Sequence, residues 1–213
     1  EQGTPASNAM VVTETDRNFW SFQPLAKVTP PKSDGAWAKT AIDEFVHAKL
    51  LENQLQPGAS AEPATFVRRA YLDLIGLPPT PEQVASFRKN AATDIDEAKQ
   101  ALLDELLASP HYGERWARHW LDAARFAESH GFEQDYNRNF AYHYRDFVIK
   151  ALNNDMAYDQ FVKWQLAGDE FAPKDPLAMM ATGFLGAGGF PTQLTEKEFE
   201  RAGYDELDDM AAT

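Results

Sequence analysis

The sequence predicts an all-α fold: a single irregular bundle of about seven to nine helices, preceded by an extended aromatic N-terminal arm. Two observations support this class. Apolar residues recur at three- and four-residue spacing through most of the chain, and no stretch shows the two-residue alternation of a strand. With 213 residues, 44% of them hydrophobic, the chain is long enough to form one sizeable core.

The N-terminal end is predicted to be less regular than the rest. Residues 1–18 are polar and aperiodic, which indicates a disordered leader or the remnant of an expression tag. Phe19, Trp20 and Phe22 then come close together, before a linker at residues 29–35 that contains proline and glycine. We expect these aromatic side chains to hold an extended arm on the core.

Start and stop signals divide the remaining chain into helical stretches. GLPP at residues 76–79 is a typical helix end. TPEQ at residues 80–83 predicts a capping box, because it combines a cap residue, a proline at the first helical position and a glutamine three residues after the cap. The expected helices cover residues 41–55, 62–75, 80–90, 94–108, 109–127, 140–153, 157–167 and 175–180. Gly168 is expected to end the seventh of these in a left-handed conformation.

The stretch at residues 109–135 carries the most information. Ser109 can cap a helix and Pro110 suits its first position. Apolar residues at helical spacing form one stripe: Tyr112, Trp116, Trp120, Ala123, Ala124 and Ala127. The other face is charged, with oppositely charged residues three and four positions apart. We therefore expect a long helix that packs its stripe on the core and runs into an acidic turn.

Composition excludes several functions for these residues. With 20 basic and 33 acidic side chains the net charge is -13, so phosphate backbones and anionic lipid are repelled and nucleic acid is not an expected partner. The absence of cysteine excludes disulfides, thiolate ligands and covalent haem attachment within the chain, so no cofactor is expected here. No run of about 18 apolar residues predicts membrane insertion.

The acidic turn allows four interpretations. Glu133, Asp135 and Asn137 alternate and could supply oxygen ligands to a hard cation, although the full calcium-loop pattern fails. The same turn could bind a sugar, or its carboxylates could only cap helices in solvent. Glu128 and Glu133, or Glu133 and Asp135, could also act as an acid and base pair in glycoside hydrolysis if they were correctly separated. The glycines at residues 183–189 indicate a turn or a close helix approach.

Several segments together resemble a known family. They are FWSFQPL at 19–25, FVRRAYLDLIGLPPTPEQV at 66–84, SPHYGERWARHWLDAARFAES at 109–129, GFEQD at 131–135, YRDFVIKALNNDMAYDQFVKWQLAGD at 144–169, ATGFL at 181–185 and YDELDDM at 204–210. This set is similar to the cytochrome-c-associated domain of unknown function found in large exported planctomycete proteins. The segment at residues 186–202 departs from the family pattern.

The resemblance implies a context for the chain. Residues 19–213 would form the N-terminal helical domain of a longer exported protein, periplasmic or extracellular. Haem c would be attached by a C-x-x-C-H motif in the downstream part, followed by a second large domain. The implied partners are these downstream haem-bearing and C-terminal domains and, because the family often accompanies polysaccharide-degrading systems, polysaccharide.

Candidate site residues lie on or just beyond the end of the central helix. The catalytic candidates are His119, Asp122 and Glu128; the substrate-binding candidates are Trp116, Arg125, Glu133 and Asp135; any cation would be held by Glu133, Asp135 and Asn137. Most of the charged residues in the family motifs could instead form ion pairs between helices.

Three functions follow from these observations. The first is a helical module, inactive by itself, of a c-type cytochrome-linked protein that supports redox or processing of polysaccharide-derived substrates. The second is a carbohydrate-binding or hydrolytic module that uses the acidic turn at residues 128–137. The third is a purely structural docking domain.

Overall fold

The structure, a computed structural model, describes residues 12–32, 37–131, 135–189 and 196–212. Within these ranges the chain forms ten α-helices, two 3₁₀ helices and no strand, which confirms the all-α class. Two of the helices were not expected, a four-residue helix near the N-terminus and the acidic tail, because charged residues dominate both sequences. The chain divides into two compact units, Glu1–Ser60 and Ala61–Thr213.

The first unit contains two α-helices, α1 (Glu14–Arg17) and α2 (Ala41–Glu52), and a 3₁₀ helix at Trp20–Phe22. Thr13 and Thr40 begin α1 and α2 with capping boxes. The aromatic rings of the arm contact one another and are largely exposed. On α2 the buried side chain is His47, which lies against Trp37, whereas Ile42, Phe45 and Val46 are exposed.

The second unit contains the other eight helices. They are α3 (Pro63–Leu74), α4 (Pro81–Ala91), α5 (Ile95–Leu107), α6 (Pro110–Ala123), α7 (Tyr142–Asn153), α8 (Tyr158–Phe171), α9 (Pro176–Ala181) and α10 (Glu196–Ala212), with a 3₁₀ helix at Thr182–Gly186 between α9 and α10. The predicted capping box of α4 is confirmed, because the Thr80 N–H donates to Gln83 Oε1 at 2.8 Å. Ser109 and Asp175 are the caps of α6 and α9, as expected.

Two apolar clusters fill the second unit. In the α3–α5 core, side chains of three consecutive helices pack together: Val67, Ala70, Tyr71, Phe87, Ala98, Leu102 and Leu106 are buried. The α6–α9 core is built around Tyr144, Phe147, Val148 and Ala151 of α7. The Phe147 and Phe161 rings stack there with 5.5 Å between centroids, and Trp120 packs edge-on against Phe161 at 4.8 Å.

Glycines allow two helix pairs of the α6–α9 core to approach at backbone distance. A Cβ atom at Gly113 of α6 would overlap the Ile149 carbonyl of α7, and one at Gly168 of α8 would overlap the Ala178 carbonyl of α9. The prediction that Gly168 ends its helix is therefore wrong: α8 continues to Phe171 past a kink at Ala167, and Gly168 is needed for packing.

The central helix α6 is shorter than expected. It ends in a Schellman motif, in which the Arg125 N–H donates to the Asp122 carbonyl and the Phe126 N–H to the Leu121 carbonyl. Arg125 occupies the left-handed position with φ of 54°. The chain leaves the helix axis there, so Ala127 does not belong to the helical stripe. No glycine marked this helix end in the sequence.

Candidate functional site

An interhelical ion pair extends from the end of α6. The Arg125 guanidinium pairs with the Asp209 carboxylate of α10 and also donates to the Asp209 carbonyl at 3.2 Å. Both side chains are about two-fifths exposed. We therefore interpret Arg125 as a residue that ties α10 to α6, an outcome that agrees with the ion-pair interpretation more than with substrate binding.

The acidic turn closes on itself. The Arg138 N–H donates to the Glu128 carbonyl at 2.7 Å, Ser129 forms a bridge with Asn137, and the His130 N–H donates to the Tyr136 carbonyl at 3.0 Å. These backbone bonds bring residues 128–130 and 136–138 together. The loop leads from the end of α6 to the start of α7.

The Asp135 side chain forms hydrogen bonds to other residues of this turn. Its carboxylate accepts the Gly131 N–H at 2.9 Å. Hydrogen bonds from the Ser129 hydroxyl and from Gly131 lower the pKa of Asp135 below its ordinary value of 3.8, and the neighbouring His130 contributes further. The carboxylate therefore supports the turn when ionised, and the turn loses this support as the pH falls through the lowered pKa.

Arg138 connects the turn to the glycine-rich segment that follows α9. Its guanidinium donates to three successive carbonyl oxygens, those of Gly186 at 2.8 Å, Ala187 at 3.3 Å and Gly188 at 2.7 Å. Gly183 of the same segment lies against α7, where a Cβ would be 2.7 Å from Tyr144 Cβ. The expected close approach of these glycines is thus confirmed at Gly183.

A cleft of about 560 Å³ lies between the turn, the start of α7 and the segment after α9. It is open to solvent, and aromatic, histidine, methionine and small residues line it. The lining residues are Phe126, Ala127, His130, Arg138, Asn139, Phe140, Ala141, His143, Tyr144, Met179, Met180, Thr182, Gly183, Gly186 and Ala187. Its size suits a small ligand.

Aromatic rings form one side of the cleft. Phe140 is 76% exposed, and its ring is nearly parallel to that of His143 at 6.4 Å. Tyr142, which does not line the cleft, is tilted against the His143 imidazole with 4.1 Å between ring centroids. The cleft therefore offers a ligand the exposed aromatic rings of Phe140 and His143.

The position of the proton on the neutral His130 ring is defined by a hydrogen bond. Its Nδ1 lies 2.9 Å from the Tyr136 carbonyl oxygen, which can only accept, so the proton of the neutral ring is on Nδ1. Nε2 is then an acceptor in the neutral ring and a donor in the protonated ring.

A buried hydrogen-bonded triad separates this cleft from a second, more apolar one. Trp120 Nε1 donates to Gln165 Oε1 at 2.8 Å and lies 3.0 Å from the Tyr144 hydroxyl, which itself donates to Gln165 Oε1 at 2.7 Å. Tyr144 lines the first cleft, and Trp120 and Gln165 line the second, of about 360 Å³. Burial raises the pKa of Tyr144 far above its ordinary value, so its hydroxyl stays protonated.

The candidates predicted from sequence do not converge on either cleft. Trp116, His119 and Asp122 lie on the exposed part of α6, where the Trp116 and His119 rings are 5.4 Å apart. Glu128 accepts from Arg145 at 2.7 Å, and Arg145 also bonds Asp146. Asp135 and Asn137 lie in the turn, and Glu133 lies outside the described residues. None of the described candidates lines the 560 Å³ cleft.

Sequence reasoning missed the residues that do line it. His130 and His143 belong to no metal-ligand motif. Arg138 stands at the position where a calcium loop starting at Glu133 would need a glycine. One signal was available: the aromatic cluster at residues 140–144 follows the turn directly. Among the described residues, no three His, Asp or Glu side chains come close enough together to hold a metal ion.

Comparison with known families gives the chain its affiliation. The family model described as PSCyt2, protein of unknown function (DUF1549), matches residues 41–213. The chain belongs to this family. The expected membership of a family of unknown function is confirmed, whereas the planctomycete source and the haem-bearing continuation stay predictions.

The DUF1549 match covers α2 and the whole of the second unit, so the cleft, the turn and the triad all belong to the family domain. No curated protein and no solved structure matches the chain. In the described part of this DUF1549 domain, no helix has the length and apolar character needed to cross a membrane.

Proposed function

We propose that this chain is a carbohydrate-binding module that holds a sugar in the 560 Å³ cleft beside the turn at residues 128–137. The observation that supports it best is the exposed aromatic surface of Phe140 and His143, which borders polar groups of the turn. Sugar rings have apolar faces with polar edges, and such a ligand fits a concave site with a few convergent polar groups.

Binding fits this cleft better than hydrolysis does. Glycoside hydrolysis requires two carboxyl groups beside the sugar. No Asp or Glu is among the described residues that line the cleft, and Glu128 is paired with Arg145. We therefore propose that the chain is not catalytic by itself, and that chemistry on a polysaccharide-derived substrate belongs to other parts of a longer exported protein with haem c downstream.

Calorimetric titration of the 213-residue chain with a panel of plant and algal oligosaccharides tests this function. Phe140→Ala should weaken binding by roughly three- to ten-fold, because one aromatic contact is lost. Phe171→Ala is the matched control, since Phe171 is also an exposed phenylalanine and does not line the cleft. Absence of binding to every member of the panel, or an equal loss in both variants, would contradict the proposal.

A second candidate function, docking to the downstream domains, is favoured by α10. Phe199, Tyr204 and Leu207 of this helix are 65%, 63% and 60% exposed, and the helical spacing places Tyr204 and Leu207 on the side away from the buried Ala202. In the longer natural protein we expect these positions to be covered by the haem-bearing part. Hydrogen exchange of residues 199–207 should then be slower in the longer protein than in the 213-residue chain, and equal exchange would argue against docking there.

A further inference from the structure

We infer that the cleft selects an anionic sugar, carboxylated or sulfated, over a neutral one. This inference rests on the proposed carbohydrate-binding function and specifies its ligand class. It follows from the charge and the hydrogen-bonding groups of the described lining residues, which differ from the strongly acidic composition of the whole chain.

The first step is the state of Arg138. A guanidinium has five N–H donors, and three are used by the carbonyls of residues 186, 187 and 188, which leaves two. Carbonyl oxygens satisfy hydrogen bonds but do not neutralise a charge. Within the described part of the chain Arg138 forms no ion pair with a carboxylate, so its guanidinium at the wall of the cleft can pair with the anionic group of a ligand.

The second step is the composition of the wall. The chain has 33 Asp and Glu residues, yet the described lining of the 560 Å³ cleft contains none. Glu206 lines an adjoining surface cleft together with His130, Arg138 and Gly186. In the main cleft, the described lining therefore offers an anion the Arg138 cation and no carboxylate.

The third step is the set of neighbouring polar groups. Asn139 carries an amide, and within the described residues the His143 imidazole has ring contacts but no hydrogen-bond partner. These groups and the free N–H groups of Arg138 can donate to the oxygens of a carboxylate or a sulfate ester. A neutral sugar hydroxyl would use the donors but would give the guanidinium no anionic group to pair with.

Matched ligands provide the test. The chain is titrated calorimetrically with oligogalacturonate, with the same oligosaccharide fully methyl-esterified, and with a sulfated galactan oligosaccharide of equal length. The free acid should bind roughly ten- to a hundred-fold more tightly than the ester, because a charge-assisted hydrogen bond is lost on esterification. The sulfated sugar distinguishes recognition of carboxylate from recognition of any anionic group, and tight binding of either supports the inference.

Matched variants locate the effect. Arg138→Gln should abolish the preference for the acid over the ester, and Arg118→Gln should retain it, since Arg118 is an exposed arginine of α6 that is absent from the cleft lining. If Arg138→Gln does not fold, Glu206→Gln supplies a test of opposite sign: removing this nearby negative charge should tighten binding of the acid. Asp205→Asn on the exposed side of α10 is its control.

The possible failures are distinguishable. If the ester binds as tightly as both anionic sugars, or Arg118→Gln and Arg138→Gln lose the preference equally, the anionic specificity is wrong while carbohydrate binding stands. If no sugar of either kind binds, the proposed function is wrong and the inference is wrong with it.

Discussion

The two cores of the second unit are built by different means. The α3–α5 core contains only side-chain contacts between apolar faces, and its three helices carry no glycine. The α6–α9 core adds two backbone contacts through Gly113 and Gly168 and the buried triad of Trp120, Tyr144 and Gln165. The 560 and 360 Å³ clefts border the second core. The comparison indicates that the core with backbone contacts and a buried hydrogen-bonded triad is the one that shapes the candidate site.

The largest expected effect is that of Gly168→Ala. The added methyl group would overlap the Ala178 carbonyl, which belongs to rigid backbone, so α8 and α9 must separate. We expect the free energy of unfolding to fall by about 3 kcal/mol or more, as for severe overpacking. Urea denaturation followed by far-UV circular dichroism measures it.

Gly203→Ala is the control for that variant, because a methyl group at this position in α10 meets no atom within 4 Å. It should leave stability unchanged or raise it by up to about 1 kcal/mol. Equal losses in the two variants would show that helical glycine as such, and not the contact between α8 and α9, determines the effect.

Removal of the triad acceptor should have the next largest effect. Gln165→Leu deprives Trp120 Nε1 and the Tyr144 hydroxyl of their shared acceptor in a buried place, which we expect to cost about 1–3 kcal/mol. The matched change in the α3–α5 core, Leu106→Met, keeps volume and polarity and should cost less than about 1.5 kcal/mol. If Leu106→Met lowered the free energy of unfolding more than Gln165→Leu does, the α3–α5 core would be the more sensitive of the two, contrary to this comparison.

The two buried tyrosines should respond differently to loss of the hydroxyl. Tyr144→Phe removes a hydrogen bond of the triad and should cost about 1 kcal/mol. Tyr71→Phe in the other core should cost less than about 0.5 kcal/mol, because Tyr71 lines a surface cleft where water can reach its hydroxyl. Denaturation of both variants at pH 7 measures the stability that each one loses. Equal losses in the two variants would contradict this prediction.

The same tyrosines predict how stability depends on pH. Burial raises the pKa of Tyr144, and burial followed by the charge of Glu105 raises that of Tyr71, both from 10.0. The folded state then keeps protons that the unfolded state releases, so this stability is present below pH 10 and is lost as the pH rises above it. Denaturation between pH 8 and 11 should show the fall, and Tyr144→Phe should make it less steep.

Loss of a local cap should have an effect no larger than that of Tyr144→Phe. Thr80→Ala removes one half of the capping box of α4 and should cost about 1 kcal/mol. Because the cap is exposed and local, the volumes of both clefts should be unaffected, and oligosaccharide affinity should not change. A changed affinity would show that the α3–α5 core also controls the site.

Much of the fold was predictable because its signals are local. The caps at Thr80, Ser109 and Asp175 depend on residues within one helical turn of each other. The candidate site was predicted less well. Expected site residues such as Glu128 and Arg125 are used in ion pairs with Arg145 and Asp209, partners that are 17 and 84 residues away in the chain.

The sequence by itself determined the helical class, most helix starts, the acidic charge and the absence of thiol chemistry, because composition and short-range spacing dictate these properties. Only the tertiary structure decided that Gly168 packs instead of ending a helix, and that Arg138 reaches the carbonyls of residues 186–188. The same holds for the cleft beside His143. Each of these depends on contacts between segments that are distant in the chain, and no local pattern encodes which segments will meet.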